Sequence, residues 1–186
     1  FCSSPCFYCG CNRVITRDRS RGDSYVARVL AEADLLAPHV DGQRQVIQLH
    51  LGGGTPNFLS RQAMTALVDG LRQRFTFSAS AARDFSIELD PRFVSRDDVA
   101  SLAALGFNRA SLGVQDFDPQ VQQSINRIQG VEQTLDILQA CRDHGMRSVN
   151  VDLIYGLPGQ SLEGFGRTLQ QVLALRPDRL AVYGYA

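Results

Sequence analysis

Hydrophobic positions along this chain follow two alternating periods. Short runs rich in branched and aromatic residues, bounded by Gly, Pro or Asp, occur at Val46–Leu51, Phe85–Asp90, Arg109–Gln115, Ser148–Ile154 and Arg179–Ala186, and predict β-strands. Between them apolar residues recur every three or four positions, as at Met64, Leu67, Val68, Leu71 and Phe75, which predicts amphipathic helices. Their ends are written in the sequence. Asp23 is a candidate cap for a helix running to Leu36, and Ser60 and Ser161 precede two others. Ser95 with Asp98 opens a helix that Gly106 closes, and Asp118-Pro119 pairs a cap with proline at the first helical position. Gly130 and Gly145 bracket Val131–His144, and the last helix must stop before Pro177. Cys141 falls on an apolar stripe with Leu135 and Leu138 and is expected in the core.

Strand–helix alternation under the right-handed crossover rule implies a parallel α/β fold, either a barrel or a doubly wound sheet. Polar residues inside the strands favour the barrel. Ser86, Glu88 and Asp90 share one face of their strand, Ser111, Gly113 and Gln115 one face of the next, and Asn150 and Asp152 one face of the third. A strand buried on both faces would be nearly all aliphatic. A polar face that strengthens toward the C-terminal ends suits a barrel lumen with a site at its mouth. Polar residues capping the following helices are the plainer account of any one of these positions.

The length of 186 residues fits one domain with a real core, and no repeat or linker divides it. Nineteen acidic and nineteen basic residues balance, which argues against a general nucleic-acid binder. No run of eighteen apolar residues predicts a membrane span. All nineteen basic residues are Arg, so Schiff-base chemistry and the lysine-dependent P-loop are excluded. Phe1 stands one residue before the most distinctive motif and Ala186 inside a predicted strand. The chain is therefore expected to be a piece of a longer protein.

That motif is Cys2-Ser3-Ser4-Pro5-Cys6-Phe7-Tyr8-Cys9, a C-x3-C-x2-C loop. Three thiolates this close can converge on one soft metal centre. Structural zinc normally uses two separated pairs and no second pair follows. A Cys6–Cys9 redox pair would leave Cys2 surplus, and a disulfide framework does not suit a chain of this size. A [4Fe–4S] cluster on three thiolates fits better and leaves one iron open to a small molecule. Cys11 is poorly placed to be its fourth ligand. Gly52-Gly53-Gly54-Thr55-Pro56 follows a strand directly, but Asn57 occupies the place of the third glycine in a dinucleotide fingerprint. The loop is either a site of close ligand approach or a plain turn.

The cysteine loop resembles the signature of the radical S-adenosylmethionine (SAM) enzymes. Together with Cys6–Asn12 (CFYCGCN), Leu49–Pro56 (LHLGGGTP), Ser86–Pro91 (SIELDP), Gly106–Phe117, Ile125–Arg127 (INR) and Asn150–Gln160 (NVDLIYGLPGQ), it is similar to the oxygen-independent coproporphyrinogen III oxidase family along essentially the whole chain. The resemblance implies a partial parallel (β/α) barrel of the radical SAM type, truncated at both ends. Residues 1–186 would be its core domain, with the first strand and a C-terminal domain absent. It implies a [4Fe–4S] cluster on Cys2, Cys6 and Cys9, and two SAM molecules held by Tyr8, Gly53, Gly54, Thr55, Glu88, Gln115, Arg127, Asp152 and Ala186.

The implied reaction is oxidative decarboxylation of two propionates of coproporphyrinogen III to vinyl groups, giving protoporphyrinogen IX. An electron donor and an electron acceptor would take part, in a cytoplasmic protein monomeric at full length. Two departures stand out. The aromatic pair before Cys9 is Phe7-Tyr8, where the family has Tyr-Phe, and the family's SAM-touching tyrosine upstream of the cluster has no counterpart in this chain. Competing readings are the family's haem chaperone homologue, which generally lacks a cysteine at the place of Cys11, and a small iron–sulfur or zinc binding module.

Overall fold

The computed structural model describes all residues, Phe1–Ala186. Helix α1 (Arg21–Leu36) leads into the short strand β1 (Gln45–Val46) and then β2 (Gln48–Leu51). Helix α2 (Arg61–Arg74), the short β3 (Thr76–Phe77) and β4 (Asp84–Leu89) follow, then α3 (Arg96–Ala104), β5 (Arg109–Gln115) and α4 (Pro119–Ser124). The chain closes with α5 (Val131–Asp143), β6 (Ser148–Tyr155), α6 (Leu162–Leu175) and β7 (Arg179–Gly184).

Strands β2, β4, β5, β6 and β7 form one sheet in that order, and every neighbouring pair is parallel. This order decides between the two predicted architectures. A doubly wound sheet reverses its strand order at a switch point. Here each new strand adds on the same side, so right-handed crossovers put all the helices on one face and leave the other as the wall of a lumen. Burial follows: in β4, Phe85, Ile87 and Leu89 are buried while Asp84, Ser86 and Glu88 alternate on the other face. The helix-side face joins Leu112, Val114, Val149, Val151, Leu153 and Val172 in one continuous core. The architecture is therefore a partial parallel (β/α) barrel.

Most helix ends form as the sequence predicts. Ser60 accepts from the Ala63 N–H, Ser161 from Gly164, and Asp118 from Gln120 and Val121. Ser95 and Asp98 form a reciprocal capping box. Cys141 is fully buried, and burial pushes its thiol up to about 12.

Four expectations are corrected. Helix α1 begins at Arg21 with Ser20 before it, so Asp23 lies in the first turn, where its charge complements the helix dipole. The run Val46–Leu51 divides, because β1 pairs with β3 in a separate two-stranded sheet and Ile47 between the pieces is exposed. Asp90 lies just past β4, where its carboxylate caps a 3-10 turn at Pro91–Phe93. Leu135 sits at the exposed margin of the α5 stripe. No helix is long and apolar enough to cross a membrane.

Candidate functional site

The cysteine loop is pinned to the C-terminal edge of the sheet by backbone bonds from several directions. The Cys2 N–H donates to Val14 O (3.0 Å) and Thr16 N–H to Cys2 O (3.0 Å). The Cys9 N–H donates back to Cys6 O (3.1 Å), closing the loop on itself. The Phe7 N–H reaches Ile125 O (2.9 Å), and Asn126 Nδ2 donates to Pro5 O (2.7 Å), so the INR segment grips the loop from below. Thr55 N–H donates to Phe1 O (2.9 Å), with Cys2 Sγ 3.6 Å from Thr55 Oγ1. The glycine loop and the cysteine loop therefore dock on one another, a contact across more than fifty residues.

Cys2, Cys6 and Cys9 line one small cavity of about 60 Å³ together with Arg92 and Arg127. No three His, Cys, Asp or Glu side chains converge tightly enough to hold a single metal ion. The three cysteines border one common space, and three soft donors around a space suit an iron–sulfur cluster. Cys11 is exposed and does not line this cavity. Its thiol is pushed up chiefly by a hydrogen bond with Cys9, then by burial.

An adjoining cavity of about 250 Å³ is lined by Tyr8, Gly53, Gly54, Thr55, Glu88, Gln115, Arg127 and Asp152. These residues come from the cysteine loop, the loop after β2, the ends of β4 and β5, the middle of β6, and the segment after α4. Ala186, the ninth predicted cofactor contact, lies beyond the end of β7, exposed and away from the cavity wall. Each placement has a local cause. Gly53 adopts φ +110°, closed to side-chain-bearing residues without strain, which turns its N–H toward Glu88 Oε2 (3.2 Å). A bulge between Gly113 and Gln115 shifts the register of β5 on β6, so that Gly113 pairs with Asp152 and Gln115 with Leu153, and Gln115 takes φ +70°. Bulges of this kind re-aim a side chain at a site. Gly113 makes room for the Arg127 guanidinium, because a Cβ there would lie 2.9 Å from Arg127 Nη2.

Lumen polar groups are cross-braced. Asp152 accepts from Ser111 Oγ (2.8 Å) and Asn150 Nδ2 (2.7 Å). Burial pushes its carboxyl up against the pull of those bonds, and the Glu88 charge adds to the rise. His50 bonds Ser86 Oγ (2.8 Å) and approaches Glu88 Oε1 (3.4 Å). Burial pushes the Tyr8 hydroxyl well above its ordinary value, with Arg127 the main opposing influence.

Arg127 is almost fully buried and already engaged: Nη1 meets Asp90 Oδ2 at 3.0 Å and Nη2 donates to Gly113 O at 2.7 Å. Its Nε is buried with no partner. Arg127 itself lines both cavities, so its charge is placed to meet an anionic group of a bound ligand. With eight hydrogen-bonding or close-approach positions around one space, the residues fit SAM beside a cluster.

His50 and the Asp90–Arg92 pair are the parts that sequence patterning missed. His50 could have been found, since it shares the lumen face of β2 with the polar residues of its neighbours. Arg92 carries no local signal.

Gly53→Ala in the full-length protein is expected to lower stability by about 1–3 kcal/mol, the usual cost of a side chain held at positive φ. A Cβ there would meet nothing within 4 Å, so the loss is conformational. An unchanged denaturation midpoint would contradict the assigned backbone.

Comparisons with known proteins agree with this geometry. Over its whole length the chain is 47% identical to an oxygen-independent coproporphyrinogen III oxidase of Pseudomonas aeruginosa and 45% identical to that of Escherichia coli. It spans about 40% of the length of these curated relatives. All of the chain superposes on 42% of the solved E. coli coproporphyrinogen III oxidase HemN, described as a radical SAM enzyme, with a TM-score of 0.95 and 45% identity. The model of the radical SAM superfamily matches residues 1–172, and this chain belongs to that superfamily.

Proposed function

We propose that residues 1–186 are part of the radical SAM core domain of an oxygen-independent coproporphyrinogen III oxidase. The observation that carries this reading is convergence. Three loop cysteines and eight polar or glycine positions, scattered from Tyr8 to Asp152, line two adjoining cavities at one end of a partial barrel. Identities of 45–47% along the entire chain to relatives of that name support it. In this reading Cys2, Cys6 and Cys9 hold a [4Fe–4S] cluster, and the larger cavity and its surroundings hold SAM, in two copies. Together these groups, when bound, supply the radical that abstracts hydrogen from the substrate.

The chain's own residues orient and enclose. Glu88 accepts the Gly53 N–H at Oε2, has His50 Nε2 3.4 Å from Oε1, and faces the cavity with lone pairs remaining for a hydroxyl or ammonium. Asp152 is fixed by Ser111 and Asn150 on the opposite wall, leaving little rotamer entropy to lose on binding. Tyr8 packs against the Val121–Ile125–Ile154–Leu157 cluster and shields the cysteine loop from water. A concavity of about 530 Å³ continues from this site along the lumen past His50, Ser86 and Arg109 toward the starts of the strands.

Each of two propionate side chains would lose carbon dioxide and one hydrogen, with the last electron passed to an external acceptor. A reducing, cytoplasmic setting keeps the loop thiols available. The whole protein would act as a monomer with an electron donor.

The test uses the full-length protein, reconstituted anaerobically and given SAM, a reductant and coproporphyrinogen III. The expected products are 5′-deoxyadenosine and the divinyl porphyrinogen. Absence of either overturns the proposal, and haem binding without turnover would assign the protein to the chaperone branch instead.

A further inference from the structure

Asp90, Arg92 and Arg127 form a buried charge cluster in which two guanidiniums share one carboxylate. Asp90 Oδ2 accepts from Arg92 Nη2 at 2.7 Å and from Arg127 Nη1 at 3.0 Å, while Oδ1 accepts from Arg92 Nε at 3.0 Å. The Asp90 backbone is itself held, its N–H donating to Asn57 Oδ1 at 3.1 Å. Side-chain exposures are 7% for Asp90, 12% for Arg92 and 6% for Arg127. The cluster therefore keeps one uncompensated positive charge away from water, which is unfavourable unless an anion lies close. Both guanidiniums face the same further atom: Cys6 Sγ lies 3.5 Å from Arg92 Nη2 and 3.6 Å from Arg127 Nη1. Cys6 is also the buried cysteine of the loop, and a metal-ligating cysteine is a thiolate.

We propose that Arg92 is a positioning residue for the iron–sulfur centre: clamped by Asp90, it donates with Arg127 to the Cys6 sulfur and raises the reduction potential of the cluster held there. Donors and positive charge at a cluster sulfur stabilise the reduced, more negative state. Arg92 separates this effect from cofactor binding, because it lines the cysteine cavity and not the adjoining larger one, whereas Arg127 lines both. Its guanidinium also lies 5.1 Å over the Phe93 ring, which fixes its direction. The inference rests on the reading of Cys6 as a cluster ligand.

The test compares wild type, Arg92→Gln and Arg92→Lys in the full-length protein, reconstituted anaerobically and without SAM or substrate. Iron and sulfide are counted, and the midpoint potential is read from a redox titration followed by electron paramagnetic resonance. Arg92→Gln is expected to hold the wild-type iron content. Its reduced-to-oxidised ratio at the wild-type midpoint should fall roughly tenfold, a shift of about 59 mV to more negative potential for one electron. Arg92→Lys keeps the charge but loses the planar fork, so its shift should be smaller.

An unchanged midpoint in Arg92→Gln with a full cluster overturns the proposal, as does an equal shift in both variants. If Arg92→Gln does not fold, the shape-preserving Arg92→Met is titrated in its place, and failure of both to fold makes Arg92 a structural strut and overturns the proposal. A wild-type protein that takes up no cluster defeats the reading of the cysteine loop itself, a failure distinguished by its appearance before any substitution.

Discussion

Replacing Cys6 by Ala in the full-length protein should abolish cluster incorporation and lower product formation by more than about 100-fold, beyond the loss typical of an outer-shell partner. Cys6 is buried, closes the loop by accepting the Cys9 N–H, and has two guanidiniums against its sulfur. Alanine removes the sulfur and leaves the cations facing an apolar methyl. Two further cysteines make the experiment specific. Cys11→Ala removes an exposed thiol outside the cysteine cavity and should keep wild-type iron content. Cys141→Ala should keep it too, while lowering stability through a small core cavity between β-sheet and helices. Iron and sulfide analysis with the ultraviolet–visible spectrum checks all three. Normal cluster content in Cys6→Ala, or its loss in Cys11→Ala, would contradict the ligand assignment.

The contrast among the cysteines shows what the sequence could and could not convey. Cys2, Cys6 and Cys9 are near neighbours, so their spacing alone brings them together. Cys141 was legible through helical periodicity. Strand polarity was legible as well, because side chains alternate across a sheet whatever the sheet's neighbours are. Glu88, Ser111, Gln115, Asn150 and Asp152 do share the lumen.

The strand order, by contrast, is a long-range property. Strand polarity favours a barrel over a doubly wound sheet, but the pairing β2-β4-β5-β6-β7 that decides between them is not encoded in any local pattern. The division of Val46–Leu51 into two strands has the same origin, since β1 is drawn off by β3, about thirty residues later. Arg92 is the extreme case. Its position two residues after Asp90 reads as a turn, and its meaning depends on Cys6, 86 residues away.

Asp90→Ala should be the most destabilising single change at the site, by about 3–5 kcal/mol, the usual loss when one partner of a buried ion pair is removed. Burial alone would push the Asp90 carboxyl up, but the Arg92 hydrogen bond and then the Arg127 charge hold it below its ordinary value. The sign of the pH effect follows. A carboxyl whose folded value is depressed contributes its full stability above the unfolded value near 3.9, and that contribution disappears as pH falls through the lower folded value. Wild type should therefore lose this stability on acidification below about pH 4, and Asp90→Ala should lack that part of the acid dependence.

The origin of the loss can be isolated. In Asp90→Ala two buried guanidiniums remain without their shared carboxylate, whereas Asp90→Ala with Arg127→Met leaves one fewer buried charge. The double variant should accordingly be more stable than the sum of the two single changes, with a coupling of about 0.5–3 kcal/mol. Denaturant midpoints of the full-length apoprotein measure each corner of the cycle. Strict additivity would mean that the charges are solvated despite their burial, and would remove the electrostatic basis on which the cluster beside Cys6 has been described.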